Sequence, residues 1–369
     1  MASIDVVTTF EGLKGLEGEW RELFGAISLR TPSKSPLWQL TWWRHFGARA
    51  SALARHDMRV FVLREDSGAL LAIAPMMLTR RPGLGRGLFR ELQFFGADPY
   101  VTQLRGPVCR RERLPEVCAR LTEHVRALKE CDFVQWRGMA PGFSRENCIN
   151  QPQLEDVDSL LSTAESWDAF HAALPKKTRK HLRKSQNDLR ADQVDHAFRV
   201  TTALEPARAS LRRFYELHAR RAALTDVAPH PNVFADARSR AFLDDYCEQM
   251  AAMGDLLLFE TVVGGEIVAI RLGFAFGDEL YLYFSGYDPA YGRYSIMTTL
   301  MAETLKWAHG QGVRTVNLSS GIDRSKTRFR PQFVGAEGFY TCGGWRGALA
   351  LPLMRRLRHG VNAEDCVKA

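Results

Sequence analysis

The stretch that decides the fold is LLLFETVVGGEIVAIRLGFAFGDELYLYFSGYDP, Leu256 to Pro289. It reads as three β-strands in succession, Leu256–Val263, Glu266–Phe276 and Glu279–Tyr287. Their leucine, β-branched and aromatic side chains suit a pleated, half-buried surface. Gly264-Gly265 and Gly277-Asp278 separate the runs, and such pairs supply the positive φ angles of tight hairpins. The meander closes on Asp288-Pro289, a turn initiator. Beyond a short loop a helix is expected over Ser295–Gln311 and a strand over Thr315–Ser319. Strands in series followed by helix and strand make a mixed α/β unit, not an all-helical one.

Upstream of the meander, Ser166–Leu174, Pro175–Arg190, Pro206–Ala223 and Asp236–Met253 read as helices and Asp195–Thr202 as a strand. Thr225–Phe234 holds two prolines and no periodicity, which predicts a loop. Cys148–Thr163 is polar and irregular. The domain boundary is placed there, dividing the chain into 1–150 and 151–369. In the first half, helices are expected over Glu17–Ile27, from Ser35 (as N-cap, with Pro36 in the first turn), and over Leu114–Lys129. Strands are expected at Met58–Arg64, Ala69–Thr79, Phe89–Phe95 and Asp132–Arg137. Towards the C-terminus, Phe339–Arg346 reads as a last strand and Leu349–Arg358 as a basic helix.

One internal likeness stands out. VFVLREDSGALLAIAPMML (Val60–Leu78) matches LLFETVVGGEIVAIRLGFAF (Leu257–Phe276) as strand, tight turn and strand, with an Ala-Ile pair at corresponding places on the return. Two hairpins alike by chance would give this, and so would two copies of one α/β fold, which accounts for 369 residues.

With hydrophobic residues at 46% and charged residues at 25%, disorder is excluded as the main state. Fifty basic against 42 acidic residues give a formal charge of +8, which suits anionic small molecules or a nucleic acid without requiring either. The start, Met1–Phe10, carries Asp5 and no basic run, so no secretory signal is expected. The longest apolar stretch, Ala69–Leu78, is broken by Pro75 and too short for a membrane helix. Seven scattered cysteines without a Cys-x-x-Cys pair argue against disulfides and zinc. A cytoplasmic setting and no metal are the expectations.

Several residues are candidates for chemistry. The helix start at Arg293, Tyr294, Ser295, Ile296 and Met297 offers unpaired N–H groups and partial positive charge for a phosphate or an oxyanion; an ordinary strand-to-helix loop is the other reading. Lys176, Lys177, Arg179, Lys180, Arg183, Lys184 and Arg190 form a dense basic run. At 3.6 residues per turn, Lys176, Lys180, Arg183 and Lys184 fall near one face, fit for phosphates or simply solvated. His218 follows Phe214 and Leu217 near the apolar side of its helix; it is either a general base or a buried, hydrogen-bonded histidine. Asp323 and Lys326 lie in the loop after the last central strand, a usual place for chemistry in open α/β sheets. There Asp323 would orient or deprotonate an acceptor and Lys326 neutralise a phosphate or oxyanion, unless the two form a surface ion pair. Tyr281 and Tyr283 alternate on one face and line a tunnel or fill the core.

The order strand, strand, strand, loop, helix, strand resembles the acyl-binding half of the GNAT acyltransferase fold. The whole chain resembles the CelD-like group, similar in layout to FemAB-like double-GNAT transferases. The matching pieces are Trp20, Ser35-Pro36-Leu37-Trp38, Trp42-Trp43 with Phe46, Ala72-Ile73-Ala74-Pro75, Asp98, Tyr100, the basic helix at Lys177–Arg183, Leu217-His218, Tyr287-Asp288-Pro289, Tyr294-Ser295, and Gly321, Asp323 and Lys326. The resemblance implies tandem GNAT-like domains, each a mixed, mostly antiparallel sheet flanked by helices, with the acyl donor on the second. It implies acyl transfer from an acyl-CoA to an amine or hydroxyl of a small molecule or glycan precursor. Aminoacyl-tRNA is the alternative donor, and a non-catalytic binding protein the third possibility. The chain departs from the family at the helix start: Tyr-Ser-Pro-Gly is usual, and Tyr294-Ser295-Ile296-Met297 stands here. The missing glycine removes an easy backbone approach to a pyrophosphate, which keeps the tRNA donor in play.

Overall fold

The computed structural model describes residues 3–47, 54–82, 88–97, 100–146, 154–225, 231–342 and 346–347. Contacts divide these into two units. One runs to Val157 and takes in the strand segment from Gly335; the other runs from Asp158 to Val334.

The first unit opens with β1 (Ile4–Val7) and three short helices, α1 (Phe10–Gly15), α2 (Glu17–Ala26) and α3 (Pro36–Trp42). Ser35 caps α3, its hydroxyl accepting from Trp38 N at 3.1 Å, with Pro36 in the first turn. There follow β2 (Arg55–Arg64), β3 (Leu70–Arg81), β4 (Phe89–Phe94), β5 (Val108–Cys109), α4 (Leu114–Leu128), β6 (Phe133–Met139) and α5 (Phe143–Glu146). In the second part of the chain come β7 (Leu154–Ser162), α6 (Trp167–Ala173), α7 (Lys176–Ala191), β8 (His196–Thr201), α8 (Leu204–Ala222), α9 (Ala237–Ala252), β9 (Leu256–Val263), β10 (Glu266–Phe276), β11 (Glu279–Tyr287), α10 (Ile296–Gly310), β12 (Thr315–Ser320), α11 (Arg324–Thr327) and β13 (Gln332–Cys342).

Strand pairing makes the two units copies of one topology. In the first, β1, β2, β3 and β4 run antiparallel, β4 pairs parallel with β6, and β6 pairs antiparallel with β13. In the second, β8, β9, β10 and β11 run antiparallel, β11 pairs parallel with β12, and β12 pairs antiparallel with β7. Helices lie between the first and second strands of each, and one long helix, α4 or α10, makes the crossover to the parallel strand. The hairpin likeness of the sequence therefore belongs to a duplicated fold. Both hairpins even share a register shift just before the Ala-Ile pair: Ala72 and Ile73 face Leu63 and Val62, and Ala269 and Ile270 face Thr261 and Glu260.

The last strand of each copy is exchanged along the chain. β7 follows β6 in sequence but pairs with β12, and β13 follows β12 but pairs with β6. This corrects two expectations. Leu154–Ser162 is a strand, not an irregular boundary; its three acidic residues are poor strand formers, and the pairing with β12 overrides them. β13 starts at Gln332, earlier than Phe339, and from Gly335 it lies with the first unit, whereas the reading at 150/151 kept everything after the boundary together. The expected helix at Leu349–Arg358 and Asp98 lie outside the described residues.

Each sheet buries its own apolar face. In the second unit Ile296, Leu300, Met301 and Leu305 of α10 pack on Leu257, Phe259, Ala269, Leu280 and Leu282. In the first, Val117, Leu121 and Val125 of α4 pack on Phe61, Ala72, Ala74 and Val134. Burial of side chains this size contributes about 1.5–3 kcal/mol each.

Candidate functional site in the second unit

The parallel pair β11 and β12 is joined only over Glu279–Tyr281 and Thr315–Asn317. Both strands run on, to Tyr287 and Ser320, without pairing further. Two local features part them. On β11, Leu282 faces Gly273 and Ser285 faces Arg271, so 283–284 form a bulge against β10, which bends a strand and raises its twist. On β12, Ser319 takes a left-handed conformation at φ 67°, and its N–H donates to Asn317 Oδ1 at 2.9 Å. Asn317 Nδ2 in turn donates to Asp158 Oδ1 at 2.7 Å. The outer half of β11 thus turns a row of peptide groups to an opening instead of a neighbouring strand.

Charged side chains gather at that end. Lys326 is buried, and its ammonium donates to the carbonyls of Ser319, Ser320 and Gly321 at 3.3, 2.5 and 3.3 Å. Burial pushes it down to about 8, opposed by Asp323. Asp323 caps α11: Oδ1 accepts from Ser325 N at 2.7 Å and Lys326 N at 3.3 Å, while Oδ2 lies 3.8 Å from Lys326 Nζ. Burial raises its pKa, but the bonds from Ser325 and the charge of Lys326 prevail and hold it below the usual carboxylate range. The structure therefore brings Asp323 and Lys326 together.

His218 sits apart from open solvent, with 0% of its surface exposed. Its Nδ1 bonds Ser285 O at 3.1 Å, and the ring stands among Phe214, Phe234 and Phe284. Burial lowers its pKa. Of the two readings of His218, a buried and hydrogen-bonded ring is what the structure shows. Tyr281 and Tyr283 share a face and are buried, with ring centroids 6.5 Å apart; Tyr283 also packs on Phe274 and Phe284.

At the start of α10, Ser295 adopts φ 51° and ψ 40° and makes no side-chain cap. Arg293 lies over the Tyr294 ring at 4.6 Å and pairs with Asp192 at 2.9 Å, and Tyr294 donates to the same carboxylate at 2.7 Å. Ile296 is buried and Met297 half-buried. The arginine expected to meet a ligand is thus held by the C-terminal end of α7. Along that helix Lys176, Lys177, Lys180, Arg183 and Lys184 are exposed, whereas Thr178, Leu182, Ser185 and Leu189 are buried. Arg183 also lines, with Arg179, Trp167 and Lys306, a pocket of about 230 Å³.

Sequence reasoning missed Arg271 and Arg221. Arg271, at 9% exposure, donates to Ser285 Oγ at 3.4 Å, and Arg221 donates to the same oxygen at 3.3 Å. The signal was present for Arg271: it is the one charge within the apolar run Ile267–Phe276. Arg221 had no such contrast, because it stands among other arginines.

The first unit carries the same opening in a filled form. β4 and β6 pair only over Glu91–Gln93 and Phe133–Gln135. Beyond Phe94 the chain returns to β3 at β5, Val108 facing Ile73 and Cys109 facing Ala72. In the second unit Gly286 and Tyr287 face Ile270 and Ala269, with only residues 283–285 separating Leu282 from Gly286. Arg105 and Gly106 lie against Arg137 and Gly138 so closely that a Cβ on Gly138 would stand 2.4 Å from Arg105 O. Ser33 Oγ donates to Leu104 O at 2.9 Å and holds it there.

Residues 176–327 match the model of the acetyltransferase (GNAT) domain. That segment of the second unit is similar to a GNAT acetyltransferase domain. The match runs from α7 to α11 and so contains the open β11–β12 pair. No curated protein sequence matches the chain. Over its whole length the chain shares its fold with FemX, at 8% identity and a TM-score of 0.60, covering 96% of this chain and 99% of that one. L-PGS from Bacillus licheniformis is similar at 15% identity, TM-score 0.48, with 88% and 96% of the two chains covered. A tandem GNAT protein from the clavulanic acid biosynthesis pathway is similar at 11% identity, TM-score 0.46, with 93% and 99% covered. At these identities the likeness is one of fold. Together with the matched pairing of both sheets, the chain is two GNAT-like units, each mixed and mostly antiparallel.

Proposed function

We propose that the second unit binds an acyl-CoA or related thioester in the opening between β11 and β12. It passes the acyl group to an amine or hydroxyl of a small molecule or glycan precursor. One observation carries the reading: among the described residues β11 pairs with β12 only as far as Tyr281, whereas at the corresponding place in the first unit Arg105 and Gly106 lie against Arg137 and Gly138. Peptide groups of β11 beyond its pairing with β12 supply donors and acceptors for an extended donor arm. In the transfer, the acceptor's lone pair adds to the thioester carbonyl. The resulting oxyanion is met by N–H groups, and the thiolate departs as the carbonyl re-forms. Asp323, kept ionised, orients the acceptor and accepts its proton. The three protons of Lys326 are taken by three carbonyls, so it positions the Ser319–Gly321 turn and adds charge from a distance. No covalent enzyme intermediate is required. We place the reaction in the cytoplasm; among the described residues no helix is long and apolar enough to cross a membrane.

Thermal melting with acetyl-CoA and a long-chain acyl-CoA tests this. A donor at a hundred times its Kd should raise Tm by about 5 °C, and Asp323→Asn should lose turnover while still binding the donor. Absence of any shift with either acyl-CoA removes the reading.

A second reading has its own observation. The exposed amines and guanidinium on α7 and Met297 in place of the usual glycine favour an aminoacyl-tRNA donor over a bare coenzyme. Retention of charged tRNA that weakens steeply with salt is then expected. Stabilisation by neither donor would leave a non-catalytic binding protein.

A further inference from the structure

A buried guanidinium, Arg271, and a half-buried one, Arg221, converge on one hydroxyl and form an unbalanced site. Arg271 and Ser285 face each other across β10 and β11, so their side chains stand on the same sheet face. That face carries α10, since Ala269, two residues before Arg271, packs there. Gly286, the neighbour of Ser285, lies instead against the α8 backbone, with a built Cβ 2.4 Å from His218 N. Helix α8 therefore covers the opposite face. Arg221, arriving from α8, reaches Ser285 Oγ past the edge of β11 where that strand has left β12.

The two arginines share that single neutral acceptor. Arg271 Nε is buried without any hydrogen-bond partner. Burial and the neighbouring Arg221 push Arg271 down to about 10, and burial lowers Arg221 as well. The charges acting on this cluster are the cations Arg271, Arg221 and Lys326 and the carboxylates Asp323 and Asp158. Cations outnumber carboxylates there. Asp323 is committed to capping α11 and Asp158 to Asn317. A buried cation without a counter-ion is costly, and a guanidinium matches a carboxylate in two parallel bonds.

We propose that Arg271 and Arg221 together receive a carboxylate carried by one of the two reactants, which fills the unpaired donors at the edge of β11 and cancels the excess charge. This rests on reading the opening as the transfer site, and it narrows the substrate class to one with a free carboxylate. The carboxylate belongs either to the acceptor or to the far end of a dicarboxylic acyl group.

The test is thermal melting of the full chain in sodium acetate against acetamide, at constant ionic strength, for wild type, Arg271→Met and Arg221→Met. Wild type should rise by about 5 °C in saturating acetate and not in acetamide. Both variants should lose that response. Because they shed a buried, unbalanced charge, they should also melt at or above wild type without additive. If either fails to fold, Arg271→Lys should keep a weakened response to acetate. Equal response of wild type to acetate and acetamide overturns the proposal, as does an acetate response kept by Arg271→Met. Melting of both Met variants well below wild type makes the arginines structural and also overturns it. Acetate that still acts on both the acetyl-CoA and the succinyl-CoA complexes assigns the carboxylate to the acceptor. Acetate silenced by succinyl-CoA but not by acetyl-CoA assigns it to the acyl group. A chain stabilised by acetate and by neither acyl-CoA keeps this site and loses the acyl-CoA reading. One stabilised by acyl-CoA yet blind to acetate does the reverse.

Discussion

Gly286→Ala is the sharpest single probe of how the site is assembled. An added Cβ would lie 2.4 Å from His218 N, 2.6 Å from Leu217 C and 3.0 Å from His218 Cα. All three are backbone atoms of α8, so no side chain can swing away, and non-bonded carbons settle near 3.5–4.0 Å. The helix must withdraw by roughly 1 Å for normal contact distances to return. Overpacking of this kind costs about 1–3 kcal/mol, and backbone against backbone belongs at the upper end. The withdrawal also stretches the His218–Ser285 bond, now 3.1 Å, worth about 1 kcal/mol. A net loss of about 3 kcal/mol follows, which lowers Tm by roughly 6–12 °C for a unit of this size. Urea unfolding monitored by far-UV circular dichroism and tryptophan fluorescence measures it. Gly292→Ala is the control, because its Cβ would meet only Tyr287 Cε2 at 3.7 Å, and it should stay within about 0.5 kcal/mol of wild type. The reasoning fails if Gly286→Ala melts within about 1 °C of wild type. A folded Gly286→Ala should in addition discriminate acetate from acetamide poorly, since Arg221 moves with α8.

Three further outcomes are expected. Gly138→Ala places a Cβ 2.4 Å from Arg105 O at φ +62° and should cost about 2–4 kcal/mol, read by urea unfolding, while donor affinity, which resides in the other unit, stays unchanged. Lys326 protonates at about 8 in the fold and near 10.4 in the unfolded chain, so between these values the unfolded state holds more protons and stability rises with pH. Denaturant midpoints at pH 7, 8.5 and 10 should show that rise in wild type and not in Lys326→Met; parallel profiles refute it. Ser295→Gly relieves a left-handed non-glycine residue and should stabilise by up to about 1 kcal/mol. If a pyrophosphate seats on α10, its acyl-CoA affinity by calorimetry should also rise.

The meander and its crossover helix were legible because their signals are local. Hairpin glycines, apolar strands and a helix period placed β9, β10, β11 and α10 to within a residue or so. What escaped was set by distant partners. β7 carries Glu155, Asp156 and Asp158 and is a strand only because β12 pairs with it. The start of β13 at Gln332 was equally invisible before its partner was known. For the site, Asp323 and Lys326 were found through position, at the end of a central strand, and they do meet. His218 was named for its ordinary chemistry, and burial among three phenylalanines decides its surroundings. The arginine pair needed the sheet register, which puts Arg271 opposite Ser285, and the tertiary reach of Arg221.

The duplication explains why only one copy carries the charge. Ala72 and Ala269 hold the same register place, so Ala74 is the counterpart of Arg271; Ala74 faces Phe61 across the hairpin as Arg271 faces Phe259. At the same level the fourth strand diverges. In the second copy residues 283–284 bulge and β11 parts from β12; in the first, Arg105 and Gly106 lie against Arg137 and Gly138. Where backbone fills the gap, the position beneath is a fully buried alanine in an apolar core. Where the gap stays open, the position is an arginine with a buried, unpartnered nitrogen. A guanidinium gains nothing from packing that alanine does not gain more cheaply, and both strands are otherwise apolar here. The charge is confined to the copy in which an outside anion has a way in, and a reactant's carboxylate accounts for both its presence and its place.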